Sequence, residues 1–436
     1  AYKDVYPEII NPPKADKKFH DLVGCHNSHD EIDNDMLFAI KRNCASYLIT
    51  NDNDLRKKSK IVGLEEKVLS VSQALEKFHD NKIDFSHNST FIEQKKLHNL
   101  DISDSFFSSL KTDYSGFEKW FAKKQEQGAS AYVTFDDNAK IKAFLMLKQE
   151  NENEPYNDFT KTLLPKKRLK VSTLKVTDNG KKIGEAFMKI IIENAIKLNV
   201  DEIYITLYPK QSLLIDLLTE YGFKKFCNKV NVINGVKCLE DVYIKQAKPV
   251  EEYYPFLNPK DRKVFIVPIQ EKYHNLLFRD IEPNIQLSIM DTKGLYTSSN
   301  CIKKAYLSDS KITTITPGSI LFFYSSGNKK AITCLGVVDA VFNKFDNFDD
   351  LYNVVRKRTA YNENELRNNF KTNKLVILFK LYYFFENYVS REFLLKNNII
   401  KYNLQSIMQI KEAKDKKLQL ILDESKFESN KYIVKE

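Results

Sequence analysis

The chain lacks the features that would place it in a membrane or in an oxidising compartment. None of its apolar runs approaches the length needed to cross a bilayer. Residues 1–7 contain no apolar core of a secretory signal. The six cysteines are scattered and form no Cys-x-x-Cys pair, which argues against a disulfide framework and against a structural zinc site. We therefore expect a cytoplasmic protein that does not interact with membranes.

The chain is long and carries a net positive charge. A chain of 436 residues is too long for one hydrophobic core and predicts two or three domains. The 68 basic and 58 acidic residues leave a formal charge of +10, which favours partners rich in phosphate, such as nucleic acid. A composition rich in lysine and asparagine throughout explains the same surplus without any binding surface.

One stretch in the middle of the chain is the most informative. A β-type run at 169–176 meets a turn at 178–180, and an amphipathic helix opens at Ile183 and Gly184. A strand, a glycine-containing turn and a helix N-terminus together form a cradle for phosphate, because backbone N–H groups and the helix dipole both face the anion. The sequence therefore predicts an anion-binding cradle at this turn.

The elements around the cradle follow a familiar order. Two helical stretches and a hairpin at 131–147 precede it, and a β-type run at 201–208, a helix and a hairpin at 230–244 follow. This order resembles the GNAT N-acetyltransferases over residues 83–247. The resemblance implies a mixed α/β sheet that binds acetyl-CoA, with its pyrophosphate in the cradle. It also implies direct transfer of acetyl from CoA to an amine.

The resemblance carries over to particular residues. It implies that backbone groups of the strand contact the pantetheine amides, at Leu174, Lys175 and Val176. It implies that the cradle itself consists of Asn179, Gly180, Lys181, Lys182, Ile183 and Gly184. Asn179 and Lys182 depart from the Gln or Arg and the glycine of the usual signature, and we expect the lysine ammonium groups to contact phosphate as point charges. A plain strand–turn–helix connection is the alternative.

Catalytic residues are harder to assign. Many GNAT enzymes protonate the leaving thiolate with a tyrosine at the position that Leu218 occupies here, and leucine cannot donate a proton. Tyr208, at the end of the second β-type run, is the candidate substitute. The alternative is a tyrosine packed with its hydroxyl at the surface. Candidate general bases are Glu150, Glu118 and Asp113, among which the sequence does not choose.

The N-terminal segment 1–82 has an α/β pattern with parallel strands. A helix from Asp33, a strand at 46–50 and a polar turn containing Asp52 are similar to the C-terminal half of PIN-domain nucleases. By that match Asp33 and Asp52 hold Mg²⁺ or Mn²⁺ for cleavage of RNA. The first strand of such a site is missing, so the PIN-like domain is partial. The alternative is that Asp33 caps a helix and Asp52 belongs to a turn.

The C-terminal segment 248–436 is rich in short strands. A Pro317-Gly318 turn, a strand containing Gly336 and the basic sequence at 356–358 resemble the ASCH group of PUA-like β-barrels, which are associated with RNA. Candidate RNA-binding residues are Arg356, Lys357 and Arg358, with Lys303, Lys304 and Tyr324 gripping phosphate and stacking on a base.

We therefore predict an α/β multidomain protein: a partial PIN-like α/β unit, a GNAT mixed sheet, and a PUA-like β-barrel with helices. The arrangement resembles multidomain bacterial proteins. The leading hypothesis is an acetyl-CoA-dependent N-acetyltransferase that acts on RNA, tRNA or an RNA-bound amine. The alternatives are a metal-dependent PIN-type ribonuclease and a non-catalytic sensor of CoA or RNA.

Overall fold

The computed structural model describes residues 13–42, 44–45, 47–71, 73–74, 92–136, 138–177, 182–233, 236–278, 301–372 and 374–434. Its α-helices are α1 Lys17–Val23, α2 Ser28–Lys41, α3 Asn53–Ile61, α4 Ser108–Asp113, α5 Phe117–Glu126, α6 Ile183–Lys197, α7 Ser212–Glu220, α8 Glu271–Leu277, α9 Phe348–Val355, α10 Glu363–Asn368, α11 Arg391–Lys396, α12 Lys414–Glu424 and α13 Ser429–Tyr432. None of these described helices has the length and apolar character that a membrane span requires.

The strands are β1 Leu48–Ile49, β2 Val68–Leu69, β3 Glu93–Lys96, β4 Ser130–Phe135, β5 Ile141–Glu150, β6 Arg168–Val176, β7 Glu202–Leu207, β8 Lys224–Ile233, β9 Val236–Gln246, β10 Val264–Ile269, β11 Lys303–Ser308, β12 Ile320–Ser325, β13 Ala331–Phe342, β14 Leu375–Ser390 and β15 Met408–Ile410. They form a pair β1-β2, a seven-stranded sheet in the order β3-β4-β5-β6-β7-β9-β8, and a six-stranded sheet in the order β11-β14-β13-β12-β10-β15. Both larger sheets are mixed, since each contains a parallel pair and antiparallel pairs.

The elements predicted around the cradle are confirmed. The two predicted hairpins are the antiparallel pairs β4–β5 and β8–β9, and the predicted strand and helix of the cradle are β6 and α6. In the N-terminal segment, β1 and β2 are parallel as predicted. Boundaries differ by only a few residues, because the turn residues and the apolar periodicity that define them are local in sequence.

Helix α6 covers one face of the seven-stranded sheet. Phe187, Ile191 and Ala195 are fully buried at a spacing of four residues, which places them along one side of the helix. They belong to one hydrophobic cluster with strand residues such as Leu145 and Ile203. Burial of each large apolar side chain contributes about 1.5–3 kcal/mol, so this cluster fixes α6 and its N-terminus against β6 and β7.

The C-terminal region differs from the prediction in one way. Its described strands form an open sheet where the sequence predicted a β-barrel. Residues 414–424 form helix α12, with Leu418, Ile421 and Leu422 buried in a hydrophobic cluster. Although this helix is rich in lysine, three apolar residues on one face suffice to bind it to the core.

Contacts between Cα atoms divide the chain into two compact units. The first consists of Ala1–Asp80, Lys303–Pro317 and Val338–Phe379, and the second of Asn81–Ile302, Gly318–Val337 and Lys380–Glu436. The three domains predicted from the sequence are continuous segments, whereas these units combine distant segments. The predicted boundaries at 82 and 247 stay a prediction.

In the first unit, Arg42 joins the end of α2 to the segment around α9. Its guanidinium lies 3.3 Å from the Asp350 carboxylate. The same group lies over the rings of Phe38, Phe342 and Phe345, at 5.0–5.5 Å from their centroids. The carboxylate and the three aromatic faces compensate the guanidinium in part for leaving water, and this contact ties α2 to later sequence within the unit.

Candidate functional site

Strands β6 and β7 are paired at their beginnings and diverge further along. Their parallel register runs from Arg168 opposite Glu202 to Val171 opposite Ile205, and ends there. Beyond this point β6 stays paired with β5, and β7 stays paired with β9. The two strands therefore open a gap between their carboxyl ends, where the facing backbone groups are not paired with each other.

A β-bulge in β6 explains the divergence. Val171 pairs with Leu147 and Thr173 pairs with Met146, which leaves Ser172 as an extra residue on β6. A bulge bends its strand and increases the local twist. Because Ser172 directly follows the last residue paired with β7, the bend begins where the gap begins.

A buried ion pair holds the strands together at the closed end of the gap. The Arg168 Nε lies 2.9 Å from Glu202 Oε2, and the Arg168 side chain is only 1% exposed. Lys166 Nζ lies 2.5 Å from the other oxygen of Glu202, and Gln246 donates to that oxygen at 3.2 Å. With partners on both oxygens, Glu202 connects β6, β7 and β9 at one point.

A cleft of about 430 Å³ adjoins the gap. Tyr114, in the loop after α4, and Phe117 and Trp120, in the first turn of α5, form an aromatic wall of this cleft. Strands β6, β8 and β9 supply charged side chains, which are Lys170, Lys229 and Glu240. A cleft with an apolar wall and a few converging polar groups is the usual form of a small-molecule site.

Of the three β6 residues predicted to contact the pantetheine amides, only Leu174 lines the cleft. The Lys175 ammonium lies 2.6 Å from the Ser109 hydroxyl and also donates to the backbone oxygen of Phe106, so its side chain joins β6 to the start of α4. Val176 is half-buried and pairs with Ala143 of β5. Leu174, Lys175 and Val176 all lie beyond the last β6–β7 pair, on the part of β6 that borders the gap.

The cradle turn is only partly within the described residues. Asn179, Gly180 and Lys181 lie outside them. Lys182 precedes α6 in the left-handed region, at φ 58°, and its side chain does not cap the helix. Its ammonium lies 2.9 Å from Glu185 Oε1, so the structure pairs Lys182 with a carboxylate rather than leaving it for phosphate. The first-turn N–H groups of a helix lack acceptors within the helix, so anion binding at α6 stays a prediction.

Gly184 and Ile183 have packing roles in the structure. Ile183 is 1% exposed and belongs to the hydrophobic cluster under α6. A Cβ added to Gly184 would lie 3.0 Å from Leu217 Cδ2, closer than nearly all real contacts of that kind. The absent side chain therefore allows α6 and α7 to approach each other, which explains this glycine without a ligand.

Tyr208 lies in the cleft, directly after β7. Its hydroxyl donates to the backbone oxygen of Asp113 at 3.4 Å, and its ring lies 5.2 Å from the ring of Tyr114. Burial, and then the negative charge of Glu240, raise the pKa of Tyr208, so its hydroxyl keeps its proton at neutral pH. Leu218 is fully buried, and the tyrosines that line the cleft are Tyr208 and Tyr114.

The three acids predicted as general bases all have other partners. Glu150 accepts from the hydroxyl of Tyr204 at 2.7 Å; burial opposes its ionisation, but this hydrogen bond and that of Lys148 outweigh burial and lower its pKa. Glu118 is exposed and pairs with Lys111 at 2.8 Å. Asp113 pairs with Lys210 at 2.6 Å. None of the three carboxylates lines the cleft.

Glu240 is the acid that the sequence analysis missed. It lies on β9 opposite Lys229, is 2% exposed and lines the cleft. Since Leu207 pairs with Asp241, Tyr208 follows at the level of Glu240. One signal in the sequence points to it: Glu240 alternates with Val242 and Ile244, so a carboxylate lies on the buried face of a strand.

The predicted metal ligands do not form a recognisable site. Asp33 lies inside α2, which begins at Ser28 and is capped by Asn27, so the prediction that Asp33 opens or caps this helix was wrong. Asp52 caps α3 and accepts from two backbone N–H groups. Burial and then the charge of Asp52 raise the pKa of Asp33. Over the described ranges, no group of three His, Cys, Asp or Glu side chains is arranged to hold a metal ion.

The basic sequence proposed for RNA lies at the end of α9. Arg356, Lys357 and Arg358 are half-buried, and the Arg356 guanidinium lies 6.0 Å from the Tyr352 ring centroid. Lys304 is 1% exposed and Tyr324 is 4% exposed. The prediction that these two contact RNA was therefore wrong, because buried side chains cannot stack on a base or reach a phosphate.

No family model and no curated protein matches the chain. Solved structures similar to part of it include ASCH from Zymomonas mobilis, at 13% identity and a TM-score of 0.27, covering 36% of this chain and 95% of that chain. An N-acetyltransferase from Staphylococcus aureus Mu50 is similar at 16% identity and a TM-score of 0.28, covering 36% and 98%. Arabidopsis thaliana NAA60 in complex with acetyl-CoA is similar at 13% identity and a TM-score of 0.28, covering 36% and 98%. TM-scores this low do not assign the chain to a family.

Proposed function

We propose that this chain is an acetyl-CoA-dependent N-acetyltransferase whose reaction takes place in the cleft beside the β6–β7 gap. The observation that supports this most directly is the end of strand pairing at Val171 and Ile205, which leaves an edge of β6 open to an extended ligand. An amide-containing chain such as pantetheine binds a strand edge through backbone hydrogen bonds. The N-terminus of α6 follows β6 and offers N–H groups to the pyrophosphate.

Acetyl-CoA supplies the activated acetyl group, and the residues of the chain position the pantetheine arm and protonate the departing thiolate. In this proposal the β6 edge from Thr173 to Val176 orients the pantetheine arm, and the aromatic wall at Tyr114, Phe117 and Trp120 excludes water from the thioester. Tyr208 keeps its proton at neutral pH and lies at the mouth of the gap, so it serves as the proton donor to the departing thiolate.

We further propose that RNA or an RNA-bound amine is recruited by Arg356, Lys357 and Arg358. Three consecutive basic side chains, the first of them near the Tyr352 ring, are suited to phosphate and base contacts. We expect the double variant Arg356→Gln/Arg358→Gln to bind tRNA at least tenfold more weakly than the wild type in a filter-binding assay at 0.1 M salt. The control Lys411→Gln/Lys416→Gln removes the same charge from exposed positions; equal losses in both variants would refute a specific site.

Isothermal titration of the full chain with acetyl-CoA tests the proposal. Ser172→Trp places a bulky ring where the bulge opens the gap, so we expect at least tenfold weaker binding than in the wild type. Leu164→Trp is the control, because Leu164 is 69% exposed and does not line the cleft. A tryptophan at Gly184 is less suitable, since it would displace Leu217 of α7 as well as fill the cradle.

Three results separate the alternatives. Binding by the wild type and Leu164→Trp, but not by Ser172→Trp, supports a cosubstrate site in the gap. Tight binding without turnover on any amine supports the sensor instead. A folded wild type that binds no acetyl-CoA refutes the acetyltransferase and leaves the ribonuclease hypothesis to be tested with Asp33→Ala and Asp52→Ala.

A further inference from the structure

Glu240 combines burial, an oxygen without a hydrogen bond and a position on the cleft wall. It is 2% exposed, and its Oε2 atom has no hydrogen-bond partner among the residues that the structure describes. The side chain lines the cleft that also contains Tyr208. A buried carboxylate is costly unless a cation and several donors compensate it. A carboxylate on the cleft wall that lacks such donors therefore indicates that part of the compensation comes from a ligand.

Lys229 compensates Glu240 only in part. Lys229 Nζ forms an ion pair with Glu240 Oε2 at 3.8 Å, too long for a hydrogen bond, and shares its charge with Asp158 Oδ2 at 3.7 Å. Lys170 also lines the cleft; burial lowers its pKa, and the charge of Glu150 opposes that shift. Tyr114 and Tyr208 are close enough that the charge of Glu240 raises the pKa of both, after burial as the larger cause.

We propose that Glu240 binds the acceptor of the reaction as a primary alkylammonium ion and takes the proton that must leave before the nitrogen can attack. This inference rests on the proposed acetyltransferase function and names the substrate class and the residue that receives it. A narrow, unbranched ammonium suits this position, because Glu240 is 2% exposed and shares the cleft with the aromatic wall. Tyr208 lies at the same level, so the nitrogen on Glu240 is next to the gap where the thioester is expected.

The proton balance of the step is complete with these two residues. Glu240 takes one proton from the ammonium, and the neutral nitrogen forms a C–N bond to the acetyl carbonyl carbon as the C–S bond breaks. The Tyr208 hydroxyl protonates the departing thiolate, and the second proton of the nitrogen returns to the Tyr208 oxygen. The products are the N-acetylated amine and CoA thiol, and Glu240 releases its proton to solvent.

The test measures turnover of the full chain with acetyl-CoA and two probe amines, by release of free thiol. Cadaverine and β-alanine are both primary alkylammonium ions, but β-alanine also carries a carboxylate, which Glu240 would repel and Lys170 or Lys229 would attract. We expect the wild type to acetylate cadaverine in preference to β-alanine. Glu240→Gln keeps the shape of the side chain, and we expect it to lower kcat/KM for cadaverine about 100-fold or more.

Acetyl-CoA affinity, measured by titration, is expected to change less than twofold in Glu240→Gln, because the substitution acts on the amine. Glu126→Gln is the matched control: it removes the same charge at an exposed position of α5, outside the cleft. Glu240→Asp, which keeps the charge on a shorter side chain, is expected to retain more activity than Glu240→Gln. Tryptophan fluorescence of Trp120, the single tryptophan of the chain, verifies that each variant is folded.

Each other outcome contradicts either this inference or the proposed function. Glu240→Gln with wild-type turnover of cadaverine, or a preference for β-alanine, overturns the inference and leaves the acetyltransferase intact. A wild type that binds acetyl-CoA and acetylates no cadaverine also overturns the assigned acceptor class. A wild type that neither binds nor turns over acetyl-CoA refutes the proposed function itself.

Discussion

Replacing Glu202 with alanine is expected to lower the free energy of unfolding of the second unit by about 3–5 kcal/mol. The substitution leaves the Arg168 guanidinium buried without its carboxylate, and it removes the acceptor of Lys166 and Gln246. Because Arg168 is 1% exposed, water cannot replace the lost partner. Urea unfolding, followed by the fluorescence of Trp120 in the same unit, measures the change.

The double variant Arg168→Met/Glu202→Leu separates the contribution of the ion pair to stability from the contribution of side-chain packing. With both charges removed and the volume kept, we expect most of the lost stability to return, because no buried charge is left alone.

Burial opposes ionisation of Glu202, but Lys166 and Arg168 outweigh burial and lower its pKa. Its stabilising contribution is therefore present above the unfolded-state pKa of about 4.3 and disappears as pH falls through the lower folded-state value. A loss below 1 kcal/mol at neutral pH in Glu202→Ala would contradict this account of the closed end of the gap.

Replacing Tyr208 with phenylalanine is expected to lower kcat about 100-fold or more while the affinity for acetyl-CoA stays within twofold of the wild type. Phenylalanine keeps the ring that packs at 5.2 Å against Tyr114 and removes only the hydroxyl that protonates the thiolate. Steady-state thiol release gives kcat, and titration gives the affinity.

A matched control is Tyr402→Phe, since Tyr402 is 71% exposed and lies outside the cleft. The second tyrosine of the cleft, Tyr114, also keeps its proton, because burial raises its pKa. If Tyr208→Phe retains full kcat and Tyr114→Phe loses it, then Tyr114 is the proton donor and the assignment of Tyr208 was wrong.

The elements that were predicted correctly are those defined by residues close together in the sequence. The strand at 169–176 and the helix from Ile183 were predicted within one residue, because β-branched residues, a polar turn and a helical apolar period follow one another there. The start of α2 was misplaced by five residues, since Asn27 and Ser28 are as good at a helix start as Asp33. Local chemistry offered several starts, and the structure uses the one that Asn27 caps through the backbone N–H groups of His29 and Asp30.

The structure separates the residues that were proposed for the site. Tyr208 and Leu174 line the cleft, but Gly184 lies against Leu217, and Lys182 is paired with Glu185. The sequence alone does not reveal such pairings, because Leu217 is 33 positions further along the chain. The three predicted bases each have hydrogen-bonded or ion-paired partners outside the cleft, whereas Glu240 lines the cleft and its Oε2 atom has no hydrogen-bond partner among the described residues.

The sequence by itself determined that β6, a polar turn and α6 follow one another, and that hairpins close the sheet on both sides, because turn residues and apolar periods act over a few positions. Only the tertiary structure decided that pairing between β6 and β7 ends at Val171 and Ile205, that Ser172 is a bulge, and that Glu240 reaches the level of Tyr208. Register and bulges depend on how strands distant in sequence fit against a shared core, and that fit is a property of the packed sheet.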